Sequence, residues 1–270
     1  MITTQWIINE MENWAPTSLA ESYDNVGLLV GDASSPIKKI LVALDATEAI
    51  IKEAILGNYN CIITHHPLIR DPLKSVTAAD TTGHKIISLI QHNICLYAAH
   101  TNLDKAAGGV GDCLVKKIFD EKCEKPLPAL VKEPSSDLVG FGRVIILQEE
   151  TTLGELLNRV KAKLGLAYIR YSGDLSTKIK KVGLCGGSGM SFWQAAKDEN
   201  CDAYITGDVR HHDALNALDA GLSLIDVTHY NGENVIVNAI VSRLREKATQ
   251  DGLDLEITAT SVDGQPLYTL

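Results

Sequence analysis

The chain alternates between two hydrophobic rhythms. Short unbroken apolar runs fall at residues 38–44, 61–64, 94–99, 143–147, 179–185, 202–206 and 223–227, each bounded by turn-forming residues. Runs of this length and β-branched content predict buried strands. Between them, apolar residues recur every third or fourth position, as Trp6, Ile7, Met11 and Trp14 do. That period predicts helices over 4–14, 48–56, 83–92, 112–119, 153–164, 213–220 and 233–248. A short helix is expected at 18–22, a turn feeding a strand at 23–32, and further strands at 167–171, 253–260 and 267–270. Thr152 and Glu155 are spaced to cap the helix that follows them. Strands alternating with helices imply the α/β class, with parallel sheets joined by helical crossovers. Residues 67–82 form a polar excursion. Residues 121–139, with Pro126, Pro128, Pro134 and Ser135-Ser136, read as a linker or as the seam between two halves. A first α/β domain is therefore expected at 1–125, completed by the C-terminal segment, and a second at 126–270.

The two halves echo one another. Lys38-Lys39-Ile40-Leu41-Val42 matches Lys180-Lys181-Val182-Gly183-Leu184, and Ile62-Ile63-Thr64 matches Tyr204-Ile205-Thr206 at the same offset. His100-Thr101-Asn102-Leu103-Asp104 and His229-Tyr230-Asn231-Gly232-Glu233 both read His-x-Asn-x-acid after a strand. Where the first half carries His65-His66, the second carries Gly207-Asp208. The pattern predicts two related α/β units that face each other.

Composition narrows the function. A chain of 270 residues is ample for a sizeable core. Its net charge is -9 and it has no basic run, which argues against a nucleic-acid groove. No apolar stretch approaches the roughly 20 residues that span a bilayer. The N-terminus lacks the basic and apolar regions of a signal peptide. None of the six cysteines forms a CxxC pair, and Cys61, Cys95, Cys185 and Cys201 lie in apolar runs, so a reduced cytoplasmic setting is expected. Any metal site must then be built from histidines and carboxylates.

Those residues gather at strand ends. His65, His66, His100, Asp104, His229 and Glu233 all follow apolar strands, where open α/β sheets place their ligands. His65 and His66 point to opposite sides of the chain, which suits two ions better than one. In each His-x-Asn-x-acid segment a helical turn would bring histidine and carboxylate to one spot. Four imidazoles and two carboxylates suffice for two divalent ions. Such a site keeps excess positive charge, which favours a small anionic molecule. Mixed nitrogen and oxygen ligation suits Zn, Mn, Fe, Co or Ni. Asp45, at the end of the matching first-half strand, is a candidate to support these ligands. Gly186-Gly187-Ser188-Gly189 is a strand-to-helix turn whose amides, at Gly187 and Ser188, could hold a phosphate, although a plain tight turn is as good a reading. Asp24-Asn25 reads as turn chemistry. His211-His212 reads as a solvated helix face, and Lys178 to Lys181 as a solvated strand edge.

Five segments occur here in order: 23–28, 63–67, 100–104, 185–189 and 229–233. Together they resemble the GTP cyclohydrolase 1 type 2 homologues, also called the NIF-three-like family, over nearly the whole chain. The resemblance implies two similar α/β domains with a dinuclear metal site in the cleft between them. It also implies a toroidal homohexamer in the cytoplasm. It maps the metal ligands onto His65, His66, Asp104, His229 and Glu233, with Glu233 bridging. His100 is implied to line the site as a supporting residue or proton shuttle. Relatives with an extra domain between the halves exist, and the short 121–139 segment implies the compact form. The chain departs from the family pattern at Thr228, where glycine is common, and at Tyr23, where tryptophan is common. The expected function is metal-dependent hydrolysis of a phosphate-bearing or nucleotide-like small molecule. The alternative is a metal carrier or protein-interaction scaffold without turnover.

Overall fold

A computed structural model describes residues 2–120, 127–134 and 136–268. The chain forms two compact units, Met1–Leu103 with Ile236–Gln265, and Asp104–Val235 with Pro266–Leu270.

The first unit contains helices α1 (Thr4–Trp14), α2 (Glu48–Leu56) and α3 (Thr81–Gln91), and strands β1 (Gly27–Val30), β2 (Lys39–Ala43), β3 (Cys61–Thr64) and β4 (Cys95–Ala98). The division between units falls inside α4 (Thr101–Lys105). The sheet also takes up β12 (Glu256–Ala259), which returns from the C-terminal end of the chain after α10 (Val235–Gln250). Strand order is β1-β4-β3-β2-β12, with β12, β2, β3 and β4 parallel and β1 antiparallel at the edge. Alternation along the strands sends Leu41, Ala43, Ile62 and Leu96 into one cluster with Ile50, Ile51 and Ala54 of α2 and Ile86 and Leu89 of α3. The side chain of Cys95, on the opposite face, meets Thr4 at the start of α1. Arg243 of α10 lies over the Trp14 ring at 4.7 Å. Both sheet faces are thus covered, which is why residues 40–43, 61–63 and 95–98 of the inner strands are continuously apolar.

The second unit contains α5 (Val110–Phe119), β5 (Val131–Glu133), β6 (Ser136–Phe141), β7 (Arg143–Thr152), α6 (Leu153–Leu164), β8 (Arg170–Ser172), β9 (Lys178–Leu184), α7 (Trp193–Asp198), β10 (Ala203–Thr206), α8 (His211–Asp219), β11 (Ser223–Asp226) and α9 (His229–Glu233). Its sheet has the order β7-β9-β10-β11-β8, with β9, β10 and β11 parallel and both edge strands antiparallel. Helices α5 and α6 pack one face through Leu114, Ile118, Leu156 and Val160. Ala196 of α7 and Ala217 of α8 pack with Val144, Tyr204 and Leu224 in a separate cluster. The Thr152–Glu155 capping box is present at the start of α6.

Several expectations are corrected. Within 121–139, the described residues form an antiparallel hairpin, β5 with β6, in place of a linker; residues 121–126 and 135 lie outside the described set. Pro128 and Pro134 lie beside these strands, and Phe141 is stacked on Phe192 at 5.2 Å. The short helix at 18–22 is a 3₁₀ turn at Thr17–Leu19. The expected 233–248 helix divides at Asn234 into α9 and α10. Leu267 and Tyr268 are exposed and not in a strand; 269–270 are outside the described residues. Strand β9 is interior, not an edge: Lys178 and Lys180 reach solvent because alternate residues leave the sheet, and Lys181 pairs with Glu199 at 3.2 Å.

Candidate metal centre

In the first unit, His65 and His66 follow β3 directly and His100 follows β4. Neighbouring parallel strands end side by side, with Thr64 in register with Ala98. The three rings therefore meet. Their centroids lie 5.1 Å (His65–His66), 5.2 Å (His65–His100) and 5.4 Å (His66–His100) apart. One nitrogen from each falls within 4.8 Å of the others.

Each ring is turned by a bond at Nδ1. His65 is fully buried and its Nδ1 donates to the Ala99 carbonyl at 2.8 Å. His66 Nδ1 donates to Asp45 Oδ1 at 2.8 Å. His100 Nδ1 donates to Asp24 Oδ1 at 2.9 Å. A carbonyl or carboxylate can only accept, so Nδ1 carries the proton in every case. In the neutral ring Nε2 then holds the lone pair, the arrangement that outer groups impose on metal-binding histidines.

Asp24 is the most firmly held of these acceptors. Its side chain is 3% exposed, against 40% for Asp45. Burial raises its pKa, but bonds from the His100 ring and from the Thr101 hydroxyl and amide outweigh that and hold the carboxyl far below the usual range. From sequence alone Asp24 reads as turn chemistry. Its contact with His100 spans 76 positions, which no local pattern reveals. Asn102 of the same segment is fully buried and its side-chain amide donates to the Ala15 carbonyl, tying α4 to the end of α1. The x-Asn-x spacing thus has a packing reason in this unit.

In the second unit, α9 begins at His229. His229 Nε2 lies 3.0 Å from Glu233 Oε2 one turn later, and Nδ1 donates to Asp208 Oδ2 at 2.8 Å. Ligands at about 2.1 Å from one ion stand about 3.0–3.4 Å apart, so this pair fits a shared ion. Glu233 is 5% exposed. The glycine turn gives it room: a Cβ on Gly187, at φ +60°, would lie 1.8 Å from Glu233 Oε1. A Cβ on Gly186 would lie 2.6 Å from the Gly232 carbonyl. The neighbouring Ser188 is exposed. Gly207 is excluded from carrying a side chain, because a Cβ there would lie 2.6 Å from the Gly187 carbonyl oxygen and 2.7 Å from the His229 backbone nitrogen.

Asp104 follows His100 on α4. With Glu233 it adds negative potential at Cys185, whose thiol is pushed well up, first by burial and then by these two carboxylates. The segment after Asp104 is anchored by Arg143, which is fully buried. Arg143 donates to both carboxylate oxygens of Asp112, at 3.0 and 2.7 Å, and to the carbonyls of Ala106, Gly140 and Gly142. Asp226, at the end of β11, is 6% exposed and its carboxyl is pushed up by burial, against the amide bond from Thr228 and the charge of Arg170. Sequence reasoning missed Asp208, Asp226 and Arg170. Asp208 alone left a signal, since Gly207-Asp208 follows Tyr204-Ile205-Thr206 as His65-His66 follows Ile62-Ile63-Thr64 in the sequence.

Outside these clusters, His92 caps α3 with Nδ1 donating to the Ser88 carbonyl at 2.8 Å, while His211 and His212 are exposed at the start of α8. The donor set of imidazoles with assigned tautomers and a buried carboxylate fits first-row divalent ions. No helix among the described residues is long and apolar enough to cross a membrane.

Known proteins share this arrangement of elements. A protein from Clostridium perfringens called GTP cyclohydrolase 1 type 2 homolog is 40% identical over 245 residues, 91% of this chain and 92% of its own length. One of the same name from Clostridium acetobutylicum is 35% identical over 262 residues, 96% of each. The crystal structure of a Bacillus cereus protein related to NIF3 matches with a TM-score of 0.91 at 25% identity, covering 100% of this chain and 99% of that one. The family model for Duf34/NIF3 (NGG1p interacting factor 3) matches residues 2–266, and with that span and those identities the chain belongs to this family.

Proposed function

We propose that this protein binds two divalent first-row ions through His65, His66, Asp104, His229 and Glu233 and hydrolyses a small phosphate-bearing or nucleotide-like molecule. The observation that carries the reading is the bond made by each of the four imidazoles through Nδ1, which presents Nε2 as the donor. A second support is the path of the chain. It passes from the first unit to the second between Leu103 and Asp104, within the 100–104 segment, and back between Val235 and Ile236, two residues after the 229–233 segment. The run β2-β3-β4 with antiparallel β1 beside it matches β9-β10-β11 with antiparallel β8 beside it, which supports an internal repeat, although the fifth strand is parallel in one sheet and antiparallel in the other. The name shared by the clostridial relatives supports a nucleotide-like substrate.

When bound, the ions would supply Lewis acidity and charge neutralisation. The chain's own groups do the rest. His100, turned by Asp24, would accept or return a proton at Nε2. Gly187 carries no side chain and leaves the Glu233 carboxylate in place, and the exposed Ser188 beside it would meet the substrate phosphate. Elemental analysis of protein purified without added metal should find about two ions per chain. Metal-loaded protein should turn over a nucleotide or phosphoester, and His65→Ala and Glu233→Gln should abolish that turnover; activity that persists in both refutes the reading. A homohexamer in the cytoplasm belongs to the same proposal, and native mass measurement checks the assembly. The second reading, a metal carrier or scaffold, rests on the same ligands, and stoichiometric metal without turnover would select it.

A further inference from the structure

The residue before His229 is held where its side chain is disfavoured. Thr228 has φ +67° and ψ 162°, a region open to glycine and costly for a β-branched residue. Something must hold it there. Two segments before α9 bond to His229 or to the residue preceding it. At one, Asp208 takes the Nδ1 proton at 2.8 Å and is followed by Val209. At the other, Asp226 Oδ1 accepts from the Thr228 amide at 2.9 Å. One guanidinium reaches both segments. Arg170 Nη1 lies 3.2 Å from Asp226 Oδ2, and Nη2 donates to the Val209 carbonyl at 3.4 Å. Arg170 stands on the edge strand β8 as the register partner of Asp226.

The exposures of this pair differ sharply. The Arg170 side chain is 74% exposed and that of Asp226 is 6% exposed. A wholly exposed pair would contribute little, but here a buried carboxylate with one oxygen committed to Thr228 is balanced by a cation at its other oxygen. The planar fork of arginine can serve two acceptors in fixed geometry, which an ammonium cannot.

We propose that Arg170 and Asp226 form a clamp that holds the Thr228 turn and so sets the direction of His229. Arg170 is a positioning residue, and its effect on metal rests on the ligand set proposed above. The clamp answers the threonine: a glycine at 228 would take this conformation without help.

The test uses Arg170→Ala with Asp226→Asn, which removes both charges together and leaves an amide oxygen for the Thr228 amide. Hydrogen exchange of the metal-free chain over residues 226–234 is measured first, then affinity for Co²⁺ or Mn²⁺ by calorimetry. Exchange over 226–234 should accelerate, and affinity for one ion should fall about 10–100-fold, as for other lost outer-shell contacts. Adding Thr228→Gly should reverse most of both changes. Exchange that stays unchanged, or acceleration that glycine does not reverse, overturns the clamp. Faster exchange with full affinity overturns it too, because the turn would then not set His229. If the wild-type chain binds no ion, the ligand reading fails, and the exchange measurement still decides the clamp.

Discussion

At Gly187 the difference between a hydrogen and a methyl group decides whether Glu233 can stay where it is. A Cβ would stand 1.8 Å from Oε1, so Gly187→Ala must displace the carboxylate. The same substitution at Gly165, φ +69° with nothing within 4 Å, carries the left-handed backbone cost without the clash. Gly165→Ala should lose about 1–2 kcal/mol by urea unfolding, Gly187→Ala should lose more, and Gly187→Ala alone should lose bound metal by elemental analysis. Asp24 supports a pH prediction. Its folded pKa is depressed by the His100 and Thr101 bonds, so its contribution is complete above the unfolded value of about 3.9 and is lost as pH falls below it. Urea midpoints measured from pH 6 downward should drop more steeply in the wild type than in Asp24→Asn, and parallel curves would refute this.

Between elements, burial separates two contacts of similar appearance. The Thr152–Glu155 box is exposed and satisfies the first turn of α6. Thr152→Ala should cost about 1 kcal/mol. Arg143 joins the α4–α5 segment, through Ala106 and Asp112, to the β6–β7 corner, through Gly140 and Gly142. Arg143→Ala strands Asp112 and three carbonyls, and should cost roughly 3–5 kcal/mol by denaturant midpoint. Both elements were legible in different degree. The capping pair is local and was read from its spacing. The partners of Arg143 span 37 positions at most and follow no periodic rule.

For the whole chain, the return of the C-terminal segment matters most. Strand β12 pairs in parallel with β2, with Ile257 opposite Ile40 and Ala259 opposite Val42. Ile40, Leu41 and Val42 are fully buried. A chain ended after Gly252 would leave that edge unpaired and apolar. It should fail to yield soluble protein, whereas a chain ended after Gln265 should remain soluble; soluble recovery of both refutes the argument.

The sequence by itself determined the α/β class, the limits of most helices and strands, and a set of histidines and carboxylates whose chemistry suits metal. Burial on both sheet faces makes the strands continuously apolar, and capping and turn chemistry act over a few residues, so each leaves a local mark. Two His-x-Asn-x-acid segments, at residues 100–104 and 229–233, each follow a strand, and that too is visible along the chain. Tertiary structure decided the rest. It gave His100 its Asp24, His229 its Asp208, and Glu233 its glycine-lined position. It also turned a proline-rich stretch into the β5–β6 hairpin and put Thr228 in a glycine conformation. These outcomes depend on groups far apart in the chain meeting at hydrogen-bond or van der Waals distance, and no periodicity in the sequence encodes such meetings.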